Sequence, residues 1–245
     1  MFNSTDKYIR ERPFNNFYCY IWQGKGNNCN TYIFTDILSG DRPHIIVDPG
    51  IIVSDSGEQC FESLTQYMAK DGLSIEDIGL IINTHCHADH CQANELVVQK
   101  SNADITLSEE EENFRQSTGR KLDAMFGTKS PEFTPRFYLK EGDLNPGDNN
   151  KLKLQVIITP GHSPGSVCLY WPEYKALITG DVVYCGCVSR TDFPGRSRVE
   201  LERSIDRISQ LDIEYLFPGH RTEFGCIITG KANVDRNFQS IRKSF

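Results

Sequence analysis

Five of the six histidines in this chain stand where they could do chemistry. Thr84-His85-Cys86-His87-Ala88-Asp89-His90 gathers three histidines and an aspartate in one short run. Pro160-Gly161-His162-Ser163-Pro164-Gly165 and Phe217-Pro218-Gly219-His220 each set a histidine in a Gly/Pro turn, and Thr179-Gly180-Asp181 sets a carboxylate after an apolar run. Imidazole and carboxylate are ligands for zinc, iron or manganese. At a strand end, His85 and His87 lie two apart and point to the same side. Asp89 and His90 then fall at the start of a helix and can turn toward a neighbouring point. One cation could take the first pair and a second could take Asp89 and His90, with His162, Asp181 and His220 completing the sets. Taken singly, each histidine reads as an ordinary cap or core residue, and a lone His162 in its turn would more often be structural. Four dense groups at strand ends are not explained that way. His44, before Ile45-Ile46-Val47 and without polar company, is assigned no role.

The elements that must position these residues follow from periodicity and punctuation. Strands are expected at 17–22, 30–35 and 44–47, each rich in β-branched or aromatic residues. A helix is expected at 58–70, with Phe61, Leu64 and Met68 on one face and Asp71-Gly72 as its stop. Residues 80–83 read as an apolar strand running into the histidine cluster, and 89–100 as a helix. Ser108 before Glu109, Glu110, Glu111 and Glu112 reads as a capped acidic helix start. Residues 118–150, with Gly119, Gly127, Pro131, Pro135, Pro146 and Gly147, read as a long loop or a lid. Strands resume at 153–159, 166–171 and 175–179, followed by an amphipathic helix at 199–211 carrying Leu201, Ile205 and Ile208. A strand at 214–217 and a helix at 232–243 complete two similar α/β halves. Ligand sites in open α/β architectures lie in the loops at strand ends, where these histidines and aspartates fall.

Composition narrows the function classes. The 245 residues suffice for one substantial α/β domain or two small ones, and 38% hydrophobic with 24% charged residues fits a soluble globular protein. A formal charge of −7 argues against a nucleic-acid partner. No apolar run has the length of a membrane span. Residues 1–13 mix charges with no apolar signal core, so the expected compartment is the cytoplasm. The nine cysteines show no stapled-scaffold pattern, and Cys185-Gly186-Cys187 has no second pair to face. Cys86 and Cys91 flank the histidine cluster and could in principle be ligands; the nine are read mainly as reduced, small buried residues.

His85-x-His87-x-Asp89-His90 with the later His162, Asp181 and His220 resembles the metallo-β-lactamase fold signature, and the likeness runs through nearly the whole chain. The resemblance implies a single α/β domain over 1–245, a four-layer αββα sandwich with two divalent metal ions at one edge. It implies zinc first, with iron or manganese as alternatives. His85, His87 and His162 resemble the ligands of one site, Asp89, His90 and His220 those of the other, and Asp181 the bridging carboxylate. Asp48, in Val47-Asp48-Pro49-Gly50, matches the family's early aspartate, which supports the metal site from behind its ligands.

Within the superfamily, true β-lactamases generally lack the bridging aspartate, and the nuclease branches carry extra domains or arms. Lactonases place a catalytic tyrosine three residues after that aspartate, where Tyr184 stands; it reads equally as a packed aromatic. Ser189-Arg190-Thr191-Asp192-Phe193-Pro194-Gly195 resembles a segment of small prokaryotic glyoxalase II-like hydrolases and of persulfide dioxygenases, with Ser189 in place of the usual glycine. Arg190 would offer a fork for a substrate carboxylate, or else an ion pair with Asp192. Only 25 residues follow His220, so the helical glutathione-gripping domain of full-length glyoxalase II is not expected. The reading is thioester hydrolysis of a small, anionic substrate by a hydroxide bridging the two metals, with Asp89 orienting it. Metal binding lowers the pKa of water from about 15.7 toward 7, and a thiol of pKa about 8.5 leaves with little proton donation. The alternatives are a mononuclear iron persulfide dioxygenase, a lactonase or promiscuous β-lactamase-like hydrolase, and, from another class, an electron-transfer module.

Overall fold

The computed structural model describes residues 6–147, 150–243 and 245. One sheet runs in chain order through β1 (Tyr8–Phe14), β2 (Phe17–Trp22), β3 (Thr31–Phe34), β4 (His44–Val47), β5 (Ile78–Ile82), β6 (Asp104–Ser108) and β7 (Phe137–Leu139). It is antiparallel from β1 to β4 and parallel from β4 to β7. The second sheet is built from β8 (Gly142–Leu144), β9 (Leu154–Ile158), β10 (Val167–Trp171), β11 (Ala176–Gly180), β12 (Tyr215–Pro218) and β13 (Ile228–Thr229), with β11 and β12 parallel and the other neighbours antiparallel.

The two-residue period of the strands makes the layers. Phe17, Cys19 and Ile21 of β2, Ile45 and Val47 of β4, and Val167, Leu169 and Trp171 of β10 share one buried cluster between the sheets. Their neighbours Tyr20, Trp22 and Ile46 turn to the opposite face, under α1 (Cys60–Lys70) and α3 (Asn94–Ser101), against Leu64, Met68 and Val97. Cys168, Tyr170 and Leu177 do the same in the second sheet, under α6 (Arg198–Ile208) and α7 (Lys231–Arg242), against Leu201, Ile205 and Phe238. A strand covered on both faces reads as an unbroken apolar run, which is why β4 and β5 are so legible. The result is the expected four-layer αββα sandwich.

Several elements differ from the sequence reading. Residues 8–14 form a strand despite Arg10, Glu11 and Arg12, because β1 is an edge strand whose middle faces solvent while Tyr8 and Phe14 are buried. The helix expected at 89–100 is broken into α2 (Ala88–Cys91) and α3. The Ala93 N–H donates to the Gly50 carbonyl at 2.9 Å, and the Asp89 carbonyl accepts from Cys29 N–H at 3.3 Å, so the helical bond between them is replaced. Residues 118–150 are not one long loop. They contain the helix end α5 (Arg120–Met125), reached from α4 (Glu109–Phe114) through a π-helical turn, and the short strands β7 and β8. Arg115, 1% exposed, pins this region by pairing with Glu112 and donating to the carbonyls of Pro131 and Phe133. Among the described residues no helix is long and apolar enough to cross a membrane. All nine cysteines are unpaired, seven of them buried.

Candidate metal centre

The strand ends deliver their side chains to one edge of the sandwich. β5 runs out into Thr84 and His85, β11 into Asp181, β12 into His220, and β4 into Asp48. The sheets are tied together there: Val167 N–H donates to the Thr84 carbonyl at 2.9 Å, Asn30 N–H to the Gly219 carbonyl at 2.6 Å, and the Tyr32 hydroxyl to the Pro218 carbonyl at 2.6 Å.

Two donor groups result. His85, His87 and His162 offer ring nitrogens within 4.8 Å of one another, and the rings of His90 and His220 with a carboxylate oxygen of Asp89 do the same; Asp48 forms an overlapping set with His85 and His90 behind them. The first three rings stand 4.6–4.8 Å apart between centroids and nearly perpendicular in pairs, at 87–89°. Asp181 reaches both groups: Oδ2 lies 3.4 Å from His162 Nε2, and Oδ1 lies 3.2 Å from His90 Nε2 and 3.4 Å from His220 Nε2. Asp48 stands behind, accepting from Thr84 N–H at 2.8 Å and the Thr84 hydroxyl at 2.6 Å, with His90 Nδ1 at 2.9 Å. These bonds occupy its oxygens, so Asp48 orients His90 rather than serving as a ligand.

The donor chemistry fits divalent cations. Among the described residues His85 Nε2 is buried without a hydrogen-bond partner, and Asp181 Oδ1, also buried, faces the ring nitrogens of His90 and His220. His87 Nδ1 faces His162 Nε2 at 2.8 Å, and His90 Nε2 faces His220 Nε2 at 3.2 Å. Buried lone pairs converging on each other are what a cation satisfies. The charges differ between the groups. Burial holds His85 and His162 well below the ordinary imidazole value and takes His87 down to about 4, leaving neutral rings. Burial works the same way on His90 and His220, but Asp181, with Asp48 beside one and Asp89 beside the other, overrides it, lifting His220 to about 10. Against burial, His220 and His90 hold the Asp89 and Asp181 carboxyls well below the usual carboxylate range.

The seven expected ligands therefore come together, with Asp48 at their back. Tyr184 joins them, half-buried, its ring 6.0 Å from that of His220. Its backbone is clamped by α7, where Asn237 donates to the Tyr184 carbonyl at 3.0 Å and accepts from Gly186 N–H at 2.8 Å. Burial, then Asp181, raises its phenol well above the ordinary value, so it keeps its proton. Arg190 takes the second of its two expected roles. Its side chain is exposed and paired bidentately with Asp192, at 3.0 and 2.6 Å, and it stacks over Phe193. A two-residue spacing lets that pair close locally, so the fork expected to overhang the ligands is already occupied. His44 is structural, its Nδ1 accepting from Asp36 N–H at 3.1 Å. Cys86 and Cys91 belong to an apolar cluster beside the loop rather than to either donor group.

One residue was not legible in sequence. Glu111, fully buried, accepts from Cys86 N–H at 2.9 Å, from the Ser163 hydroxyl at 2.8 Å and from Gly165 N–H at 2.9 Å. Cys86 lies between His85 and His87, and Ser163 follows His162, so this carboxylate joins the two loops that carry the first group. The run of four acids concealed that Glu111 turns to these loops while Glu112 turns to Arg115. Gly161 allows a further approach: its φ is +136°, and a Cβ there would fall 2.3 Å from Leu201 N, so α6 packs directly on the His162 loop.

Comparison with known proteins agrees with this geometry. The probable metallo-hydrolase MJ0888 of Methanocaldococcus jannaschii is 30% identical over 205 residues, covering 80% of this chain and 89% of that protein. The acyl-coenzyme A thioesterase MBLAC2 of Homo sapiens is 29% identical over 222 residues, covering 82% and 75%. The crystal structure of TTHA1623 in a di-iron-bound form superposes with a TM-score of 0.65 at 26% identity, covering 85% of this chain and 93% of that one. The metallo-beta-lactamase superfamily model matches residues 24–220, a span that takes in both donor groups, and the chain belongs to that superfamily.

Proposed function

We propose that this protein is a dinuclear metal-dependent hydrolase and that its substrate is a thioester. One observation carries the reading: two donor groups, one of three imidazoles and one of two imidazoles with a carboxylate, share Asp181. His85, His87 and His162 would hold one ion, Asp89, His90 and His220 the other, with Asp181 between them. Zinc suits this donor set, as do iron and manganese. Divalent ions bound there supply Lewis acidity, polarising a carbonyl and lowering the pKa of water toward about 7.

The chain's own residues do the rest. Asp89, held by Asn27 Nδ2 at 2.7 Å, is placed to orient an attacking water. Glu111 and Asp48 fix the ligand loops, so the site is organised before substrate arrives. A thiol of pKa about 8.5 leaves without strong proton donation, which suits a site with few acids. The thioesterase relative and the likeness of residues 189–195 to glyoxalase II-like hydrolases support this class. Tyr184 favours a second reading, a lactone or ester, because its phenol can donate to an alkoxide leaving group beside His220.

The test is elemental analysis paired with turnover of an acyl thioester, a lactone, a β-lactam and glutathione persulfide. Two metals per chain and thioester cleavage abolished by chelation and restored by added metal are expected. A single iron with oxygen-dependent consumption of the persulfide would replace hydrolysis by dioxygenation.

A further inference from the structure

The segment from Tyr184 to Ser197 links the two sides of the first donor group. Near its start, two residues beyond Asp181, Val183 pairs with Val188 in an isolated antiparallel bridge and Tyr184 N–H donates to the Cys187 carbonyl at 3.0 Å. At its end, Ser197 N–H donates at 2.8 Å to the carbonyl of Gly161, the residue before His162. Between these anchors Phe193 packs edge-on against Phe126, with centroids 5.4 Å apart. Gly195 lies against Phe114 so closely that a Cβ would fall 2.3 Å from its ring. The Phe114 ring stands 6.3 Å from that of His87. Arg196 is therefore held between a glycine packed beside His87 and a serine tied to the His162 loop.

Two buried polar atoms of this segment have no hydrogen-bond partner among the described residues, Ser189 Oγ and Arg196 Nε. Ser189 is 6% exposed. The one hydrogen bond given by the Arg196 guanidinium among the described residues runs from Nη1 to the Arg190 carbonyl at 3.2 Å. Its charge is felt at His87, His162, Asp181, Tyr184 and Asp192, yet among the described residues it makes no ion pair, the oxygens of Asp181 facing three histidines and those of Asp192 closing on Arg190. A guanidinium does not lose its proton, so its unmet donor calls for an anionic oxygen from outside the protein. Both guanidiniums stack over Phe193, at 4.7 and 4.8 Å from its centroid, but only Arg190 is closed on Asp192.

We infer that Arg196, with Ser189 in the same segment, forms a carboxylate-binding subsite beside the metal ligands, and that the substrate carries this carboxylate near the bond that is cleaved. A carboxylate, with one charge on a planar pair of oxygens, matches one guanidinium fork and one hydroxyl; a phosphate, with up to two charges on a single group, would call for more positive charge. The substrate arm of the test rests on the hydrolase reading; the binding arm does not.

Succinate and inorganic phosphate are titrated calorimetrically into metal-loaded wild type, Arg196→Ala, Arg196→Lys and Arg190→Ala, with metal per chain measured for each. Kinetics are run on an acyl thioester bearing a terminal carboxylate and on its methyl ester. Arg196→Ala should keep its metal and bind succinate at least tenfold more weakly. It should raise KM for the charged thioester at least tenfold, with kcat and the methyl ester changed less than twofold. Arg196→Lys should fall between, keeping the charge but not the fork. Unchanged succinate affinity in Arg196→Ala, an equal loss in Arg190→Ala, loss of metal in both Arg196 variants, or a tenfold effect on phosphate alone each overturns the subsite. If neither thioester is cleaved, the hydrolase reading fails while the succinate titration still decides this one.

Discussion

The two donor groups meet at Asp181 but are braced differently. His85, His87 and His162 come from two loops joined by a buried carboxylate, Glu111, whose hydrogen bonds all go to the loops and none to a ligand ring, and by Val167 N–H on the Thr84 carbonyl, with the Thr84 hydroxyl 3.1 Å from His85 Nδ1. Asp89, His90 and His220 are braced by a network: Asp48 behind His90, Thr84 behind Asp48, and Asn27 on Asp89 at the exposed side. A group whose two loops share one buried side-chain acceptor depends heavily on it, whereas a group whose side chains are held by several partners loosens by degrees.

The largest expected effect comes from removing what the groups share. Asp181→Ala should lower metal content from two ions per chain to at most one and cut activity by more than the roughly 10–100-fold typical of residues behind a ligand. Full metal and full activity in this variant would remove the bridge from the site.

Glu111→Ala and Asp48→Asn test the asymmetry. Glu111→Ala leaves the Cys86 and Gly165 N–H groups and the Ser163 hydroxyl without their acceptor, at about 1–3 kcal/mol for each buried unmet group. It should lower the melting temperature and weaken metal binding at the three-histidine group first. Glu111→Gln keeps an oxygen acceptor and should recover part of both. Asp48→Asn keeps the side-chain shape and suits the left-handed backbone at this position, where φ is +52°. It should weaken the second group by roughly 10–100-fold in metal affinity with a smaller loss of thermal stability. Cobalt substitution, read by the visible spectrum as each equivalent is added, separates the groups; equal losses from both in the two variants would erase the contrast.

The same contrast explains what could be read from sequence. The seven donors were legible because metal ligands are drawn from a few residue types, here His and Asp, and these stand together at strand ends with a spacing that shows in sequence. Asp48 was legible only through the family resemblance that its Val-Asp-Pro-Gly setting carries. Glu111 was not, because its function is to accept three hydrogen bonds from loops distant in sequence, and that leaves no periodicity. The strand at 104–108 and the two within 118–150 were missed because short strands bearing Asp104, Ser108 or Asp143 carry too few alternating apolar residues to stand out. Arg190 and Arg196 have the same chemistry in sequence; only the closure of one on Asp192 distinguishes them.

Asn27→Ala probes the exposed edge of the second group. It removes the 2.7 Å hydrogen bond to Asp89 Oδ2. Water can replace an exposed donor, so metal affinity at this group should fall only about threefold to tenfold, at or below the low end for supporting residues. A loss as large as that of Asp48→Asn would mean that the exposed side carries the brace.

The smallest effect is expected at Arg190. Its partner Asp192 is also exposed, the two are separated by one residue, and the pair lies in water where such contacts contribute little. The Arg190 carbonyl, which accepts from Arg196, belongs to the backbone and survives substitution. Arg190→Ala should therefore leave metal content, melting temperature and kcat/KM within about twofold of wild type, a change inside ordinary surface variation. Raising the salt concentration should not alter that result, since screening weakens an exposed pair already near neutral in effect. A tenfold rise in KM confined to anionic substrates would return Arg190 to the site and require its pair with Asp192 to open when substrate binds. A loss common to charged and neutral substrates would instead show that the Arg190–Asp192 pair shapes the segment carrying Ser189 and Arg196, making that segment a third braced region beside the two donor groups.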